Sequence, residues 1–465
     1  MILTPQEITA LAGGTFELHC LEITLSPQGL VNPRVFRGPG SIYQANDQLR
    51  FRIYAKGTHL RDSWLGRSLS SQSNKLEPED FYRLSTIDYQ GRPWEAEGIV
   101  LLDIGWSGPG GGSLIEEKID ELICIRPPFR PRASASFRAI TFDQIKLPAS
   151  ARTIRTVERN DRQELKSYHH DTLAFSSCGV ELEVYPDESW TVITGRRSNG
   201  ELESHFSERV REALRFASAQ LIDWHVLMEY NPTEDRATIR GPRSRGPNPR
   251  IEPPVRRNTE RAEESVIQLI DAYLSHVVQI PGEDYHPISA EWGEVLRSST
   301  GTLETQATIC CPIVESLCRC LPADRRPDGS DTEAREQGTD WAEKVFTFLS
   351  TSGAPERLVD RVAGLFADMR RPDADMRTIL ERLAASGAID PRALRVWRKV
   401  RPASAHGQRK GLGVPATLAQ RCDCVSALLY QLVFHAIGYR GKYADPATRT
   451  WRDYPLPAAN ESEKP

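Results

Sequence analysis

Two residues five positions apart, Arg401 and His406, hold the clearest chemical potential in this 465-residue chain. They lie in WRKVRPASAHG, Trp397 to Gly407, a locally basic segment. A neutral imidazole can take the proton from a ribose 2′-hydroxyl, while a forked guanidinium, charged at any working pH, stabilises the charge gathering on the attacked phosphate. Such a pair could cleave RNA without a metal. On a regular helix residues five apart point about 140° away from each other, so the two side chains converge only if the backbone leaves the helix between them. Pro402 is expected to supply that departure. It biases Arg401 toward an extended conformation and can open a new turn that holds His406 and ends at Gly407. Arginine and histidine at this spacing also occur by chance, and an isolated match is more often a solvated loop.

The surroundings favour the chemical reading. Between Arg392 and Lys410 the cations Arg392, Arg395, Arg398, Lys399, Arg401, Arg409 and Lys410 occur without an acidic residue, which suits a polyanion. A long apolar helix is expected from Pro415 to Ile437, followed by a tail with glycine and tyrosine. Its apolar residues Leu418, Val425, Leu428, Leu429, Leu432, Val433 and Ile437 form a stripe wide enough for both a bundle core and a partner.

VRPASAHG resembles the R-x(4 to 6)-H signature, followed by glycine, of the HEPN superfamily (higher eukaryotes and prokaryotes nucleotide-binding). The ending IGYRGKYAD resembles that of its ApeA-like members, bacterial anti-phage defence proteins that act by abortive infection. FRGPGSIYQ, Phe36 to Gln44, is similar to a motif in the amino-terminal domain of that group; read from residues alone it is a hairpin turn made by Gly38, Pro39 and Gly40. The resemblance implies a helical-bundle endoribonuclease, commonly dimeric, with Arg401 and His406 in its active site and RNA as substrate. It also implies a phage-derived trigger acting at the amino-terminal domain. Glu315, in CCPIVESL, would then be the acid on the opposite helix that orients the histidine; otherwise it is a surface glutamate. The family usually has a polar residue, often asparagine, after the arginine, and this chain has Pro402. A non-catalytic sensor, scaffold or nucleotide- or RNA-binding protein of the same fold is the alternative, and Pro402 is its best argument.

The rest of the chain must position these residues. With 39% hydrophobic and 26% charged composition it can build two or three cored domains, and its net charge of −4 excludes an indiscriminate polycation. MILTPQEITALAGG lacks a signal peptide's basic start and apolar core, and no run of about 18 apolar residues exists to span a bilayer, so a cytoplasmic address without membrane contact is expected. The nine cysteines are read as reduced and buried. Their two Cys-x-Cys pairs fall in helical segments, where positions i and i+2 diverge, so no metal and no other cofactor is expected. The glycine run Gly105 to Ser113 lacks the Gly-Lys-Ser/Thr of a phosphate loop and reads as a surface loop. His169 and His170, being adjacent, are a poor metal pair.

Leu49, Phe51 and Ile53 alternate with arginines, and Val180, Leu182 and Val184 with glutamates, the period of half-buried antiparallel strands. A helix is expected from Ser207 to Glu229. Beyond the Pro- and Arg-rich stretch Arg240 to Asn258 the period turns helical, with elements around Val266 to Val277, Leu303 to Leu321 (kinked or restarted near Pro312), Trp341 to Ser350, Leu358 to Met369 and Met376 to Ala385. The expected fold is therefore α+β. A strand-rich, sandwich-like regulatory domain (1–235) and a linker (236–260) precede an all-α, HEPN-like helical bundle (261–445) and a tail (446–465). A homodimer through the helical domain completes the expectation.

Overall fold

The computed structural model describes residues 2–28, 35–55, 81–101, 104–106, 113–148, 151–159, 162–187, 190–241, 249–256, 261–280, 285–322, 325, 343–349, 351–352, 355, 358–359, 376–405 and 414–457. For 104–106, 151–159, 162–171 and 403–405 it describes the backbone alone. The chain is α+β and forms two compact units, one of residues 1–248 and 257–284, the other of 249–256 and 285–465.

The first unit is built on strands. These are β1 (Glu17–Pro27), β2 (Phe36–Ala45), β3 (Gln48–Ala55), β4 (Phe81–Asp88), β5 (Pro93–Val100), β6 (Ile104–Trp106), β7 (Ser113–Ile119) and β8 (Glu121–Arg126). Then come β9 (Ala135–Thr141), β10 (Ala151–Arg159), β11 (Arg162–Ser177), β12 (Val180–Asp187), β13 (Trp190–Arg197), β14 (Val226–Tyr230) and β15 (Asp235–Arg240). All fifteen belong to one sheet, ordered β10-β11-β12-β13-β9-β14-β15-β8-β5-β4-β1-β2-β3-β7-β6. One continuous sheet thus stands where a two-sheet sandwich was expected. Only Asp120 separates β7 from β8; β8 pairs with β5, and β5 also touches β7. The sheet therefore curls on itself, as wide sheets do, and closes one face over a shared core that includes Ile23, Phe51, Trp94, Ile115, Val192 and Met228. The alternating residues of β3 and β12 are buried as their period requires.

Three local expectations fail for physical reasons. Gly38 and Gly40 lie inside β2 and make no turn: a Cβ at either would meet a carbonyl oxygen of β3, Tyr54 or Arg52, at 2.0 Å. The turn falls instead at Asn46 and Asp47, both at positive φ, which matches the twist of a tight hairpin. The helix expected over Ser207 to Glu229 is only α2 (Phe206–Ser218), because Ala219 takes φ +51° and the apolar run Val226 to Met228 enters the sheet centre as β14. Nor does the sheet end at residue 235: β15 covers Asp235–Arg240, and α3 (Ala262–Val277) belongs to this first unit, where Tyr273 stacks on Phe216 of α2 at 5.1 Å. The expected linker 236–260 is thereby divided between the units, with 242–248 and 257–260 outside the described residues. The same holds for 107–112 of the glycine run and for the side chains of His169 and His170.

The second unit holds α4 (Pro287–Ser299), α5 (Leu303–Arg319), α6 (Met376–Ala385), α7 (Pro391–Ala405) and α8 (Pro415–Ile437). Residues 343–349 are also helical, and most of the helix expected over Leu358 to Met369 lies outside the described residues. Helix α5 continues through Pro312 without a restart. The stretch read as a tail begins with structure: β16 (Gly441–Asp445) and β17 (Thr450–Tyr454) form a hairpin whose Tyr443 and Tyr454 pack edge-on against Phe434 of α8. Arg452 of β17 bridges Asp390 at 2.9 Å and the buried Asp445 at 2.8 Å. Among the described residues no helix is long and apolar enough to cross a membrane.

A buried ionic knot closes the first unit. Arg92 donates to Asp88 at 2.6 Å, to Glu7 of α1 (Pro5–Ala12) at 2.6 Å and to the Ile2 carbonyl at 2.8 Å. The Trp94 indole donates to Asp88 at 2.9 Å. Burial raises the Asp88 carboxyl, but Trp94 and Arg92 outweigh it and hold the group below the usual carboxylate range. At Glu7 burial is likewise outweighed, by Arg92 and Thr4. Both acids are stronger folded than unfolded, so the stability they confer is present above the unfolded pKa of about 4 and is lost as pH falls through the lowered folded values. The melting temperature of the sheet unit, followed calorimetrically in the full chain, is expected to fall as pH drops below about 4, and Asp88→Asn is expected to flatten that dependence. An unchanged acid profile in the variant would contradict this.

Candidate functional site

Helices α5 and α7 meet through matched pairs one turn apart. Trp397 of α7 is 5% exposed, and its indole N–H donates to the Cys311 carbonyl of α5 at 3.0 Å. One turn further along both helices, Arg401 donates its Nε to the Glu315 carboxylate. The guanidinium carbon lies 5.9 Å from the centre of the Trp397 ring. Spacing of i, i+4 on each helix is what lets two such contacts stack. The hydrogen bond that Arg401 donates to Glu315 raises its pKa above the ordinary value, so the cation is permanent. With the Arg401 side chain 48% exposed and that of Glu315 21%, a fixed cation faces solvent.

Of the three residues singled out by sequence, then, the structure brings Arg401 and Glu315 together, and His406 lies outside the described residues. The acid expected beside the histidine is bonded to the arginine. Pro402 does not turn the chain, as α7 runs through it to Ala405. A proline this close to a helix end removes a single hydrogen bond and crowds one carbonyl, at roughly 3 kcal/mol. The buried Trp397 and Val400 and the Arg401 ion pair hold the turn before it. Trp397 was not foreseen as a positioning residue; its place one turn before Arg401 was the available signal.

The basic segment sorts into two groups. Arg398 is bonded to Glu381 of α6 at 2.6 Å, a carboxylate it shares with Arg377 at 3.0 Å. Arg392, Arg395 and Lys399 are exposed, and their side chains have no acidic partner among the described residues. Their i, i+3, i+7 spacing sets them in a stripe about 10 Å long on the helix that carries Arg401. Arg409 and Lys410 lie outside the described residues.

All nine cysteines are free thiols, and burial pushes those of Cys310 and Cys422 up to about 12, where they are neutral. Among the described residues no group of three or more His, Cys, Asp or Glu could hold a metal ion. The apolar stripe of α8, from Leu418 to Ile437, is buried within the single chain. It is therefore no free face for a partner. No protein-family model, no curated protein and no solved structure matches the chain.

An ion pair this exposed contributes only about 0.2–1 kcal/mol. Glu315→Gln is accordingly expected to lower unfolding stability by less than about 1 kcal/mol in urea titration, whereas Trp397→Ala should cost about 3–5 kcal/mol. Equal losses would mean that the ion pair is structural.

Proposed function

We propose that the second unit is a HEPN-type helical domain and a metal-independent endoribonuclease, acting in the bacterial cytoplasm in anti-phage defence by abortive infection. The observation that carries this reading is the half-exposed Arg401 guanidinium, oriented by Glu315 over Trp397, five residues before His406 and on the same helix as the stripe Arg392, Arg395 and Lys399. In the proposed reaction His406 takes the proton from a ribose 2′-hydroxyl, and the freed oxygen attacks the adjacent phosphorus. The bond to the 5′-oxygen breaks, that oxygen takes a proton from water, and the His406 imidazolium returns its own to solvent. The products are a 2′,3′-cyclic phosphate and a 5′-hydroxyl. Arg401 stabilises the charge on the phosphate, Glu315 keeps its fork aimed, and the stripe holds the flanking phosphates.

The sheet unit then serves as the sensing part, with a phage-derived trigger as its ligand. A homodimer through the helical unit would use a face other than the α8 stripe. The second reading, a non-catalytic RNA-binding or scaffold protein, draws on Pro402 and on the engagement of Arg401 by a carboxylate.

Expression of wild type beside His406→Ala, scored for RNA integrity and growth with the trigger supplied, separates the readings. His406→Ala is expected to lose about 10² to 10⁴ in cleavage rate while retaining RNA binding. Arg401→Lys should fail to restore function, because an ammonium cannot reproduce the planar fork. Intact RNA with wild-type protein, together with a silent His406→Ala, would leave the binding-protein reading.

A further inference from the structure

A cavity of about 210 Å³ lies between the start of α5, the first half of α8, residues 250–252 and the turn joining β16 to β17. Helix α8 lines it with Ala419, Cys422, Asp423 and Ser426, whose i, i+3, i+4, i+7 spacing makes one face; α5 contributes Leu303 and Gln306, one turn apart. Gln306 and Glu315 are nine residues apart on α5, about 13 Å, so the cavity is separate from the Arg401 pair.

Two polar side chains stand on its wall. Gln306 is 7% exposed and Ser426 4%, and both line the cavity. An amide and a hydroxyl on the wall offer donors and acceptors to a polar occupant. The neutral Cys422 thiol, 5% exposed, is a soft wall between them and the rim. The rim carries both signs. Arg250 is exposed, and Arg449 approaches Asp423 only to 3.9 Å, too far for a hydrogen bond. Glu252 is already matched by Arg256 at 2.7 Å. Asp423 is thus the under-compensated acid and Arg250 the open cation.

A phosphate here would meet Asp423 and Glu252 as well as the arginines, so its attraction would be largely cancelled. A ligand carrying both charges gains from each side. The volume is also below the roughly 300 Å³ of pockets that take drug-sized ligands. We infer that this cavity binds a small zwitterion, an α-amino acid, with its carboxylate on Arg250 and Arg449, its ammonium on Asp423 and a polar side chain reaching Gln306 and Ser426. The inference does not depend on the nuclease reading.

Isothermal titration of the full-length protein with each of the common L-amino acids, with inorganic phosphate and with adenosine tests it. At least one polar amino acid should bind at one per chain. Arg250→Ala and Asp423→Asn, both changes at the rim, should each weaken that binding about tenfold or more while leaving the circular dichroism melt unchanged. Gln306→Leu should shift the preference toward apolar side chains. The inference is overturned if no amino acid binds at millimolar concentration, if binding is the same in both rim variants, or if phosphate or adenosine binds where no amino acid does.

Discussion

Helix α8 is buried along most of its length, and in its second half Gln431 is fully enclosed. A buried amide has to be satisfied on both its oxygen and its nitrogen, because an unmatched group costs more than a made hydrogen bond returns. Gln431 meets this demand by reaching three elements. Its oxygen accepts from the Asp390 backbone N–H at 2.7 Å, its nitrogen donates to the Tyr443 hydroxyl at 2.8 Å, and its backbone carbonyl accepts from the Tyr454 hydroxyl at 3.2 Å. The first contact sets where α7 begins; the other two dock the β16–β17 hairpin. Arg452 then joins the hairpin to the same Asp390, so the start of α7 is held twice.

The register of α7 has consequences downstream. With the residue just before its first turn pinned, Trp397 falls opposite Cys311 and Arg401 opposite Glu315. Magnitudes separate what these contacts do. The buried tryptophan contributes several kcal/mol of packing, while the exposed ion pair contributes a fraction of one. A carboxylate that adds so little to stability but fixes a forked cation at the surface suits orientation, the kind of support that chemistry at a phosphate requires.

Much of the framework was legible in the sequence because period and burial coincide. Leu49, Phe51 and Ile53 revealed β3 by alternation, and α6 and α8 have the limits their apolar spacing implied. Other elements were hidden by competing signals. Gly38 and Gly40 looked like turn residues, yet they are glycines because β3 lies against them, a non-local cause that no local pattern reports. The helical period of Val266 to Val277 was read correctly, but nothing in a single sequence said that it would pack on α2 of the sheet unit. At the site, the basic run was visible, whereas its division into paired Arg398 and Arg401 and open Arg392, Arg395 and Lys399 depends on where α5 and α6 place Glu315 and Glu381. The residue expected to break α7, Pro402, is carried by the helix because tertiary anchors just before it outweigh one lost hydrogen bond.

In the proposed reaction a 2′-hydroxyl is the nucleophile and Arg401 stabilises the phosphate it attacks. Incubating the purified, triggered protein in excess chelator with an RNA and with its fully 2′-O-methylated counterpart addresses this directly, because methylation removes the nucleophile and leaves the phosphates. The RNA alone should be cut, and its fragments should end in 2′,3′-cyclic phosphate. Cleavage of both strands at similar rates, or of neither until magnesium is restored, would contradict it.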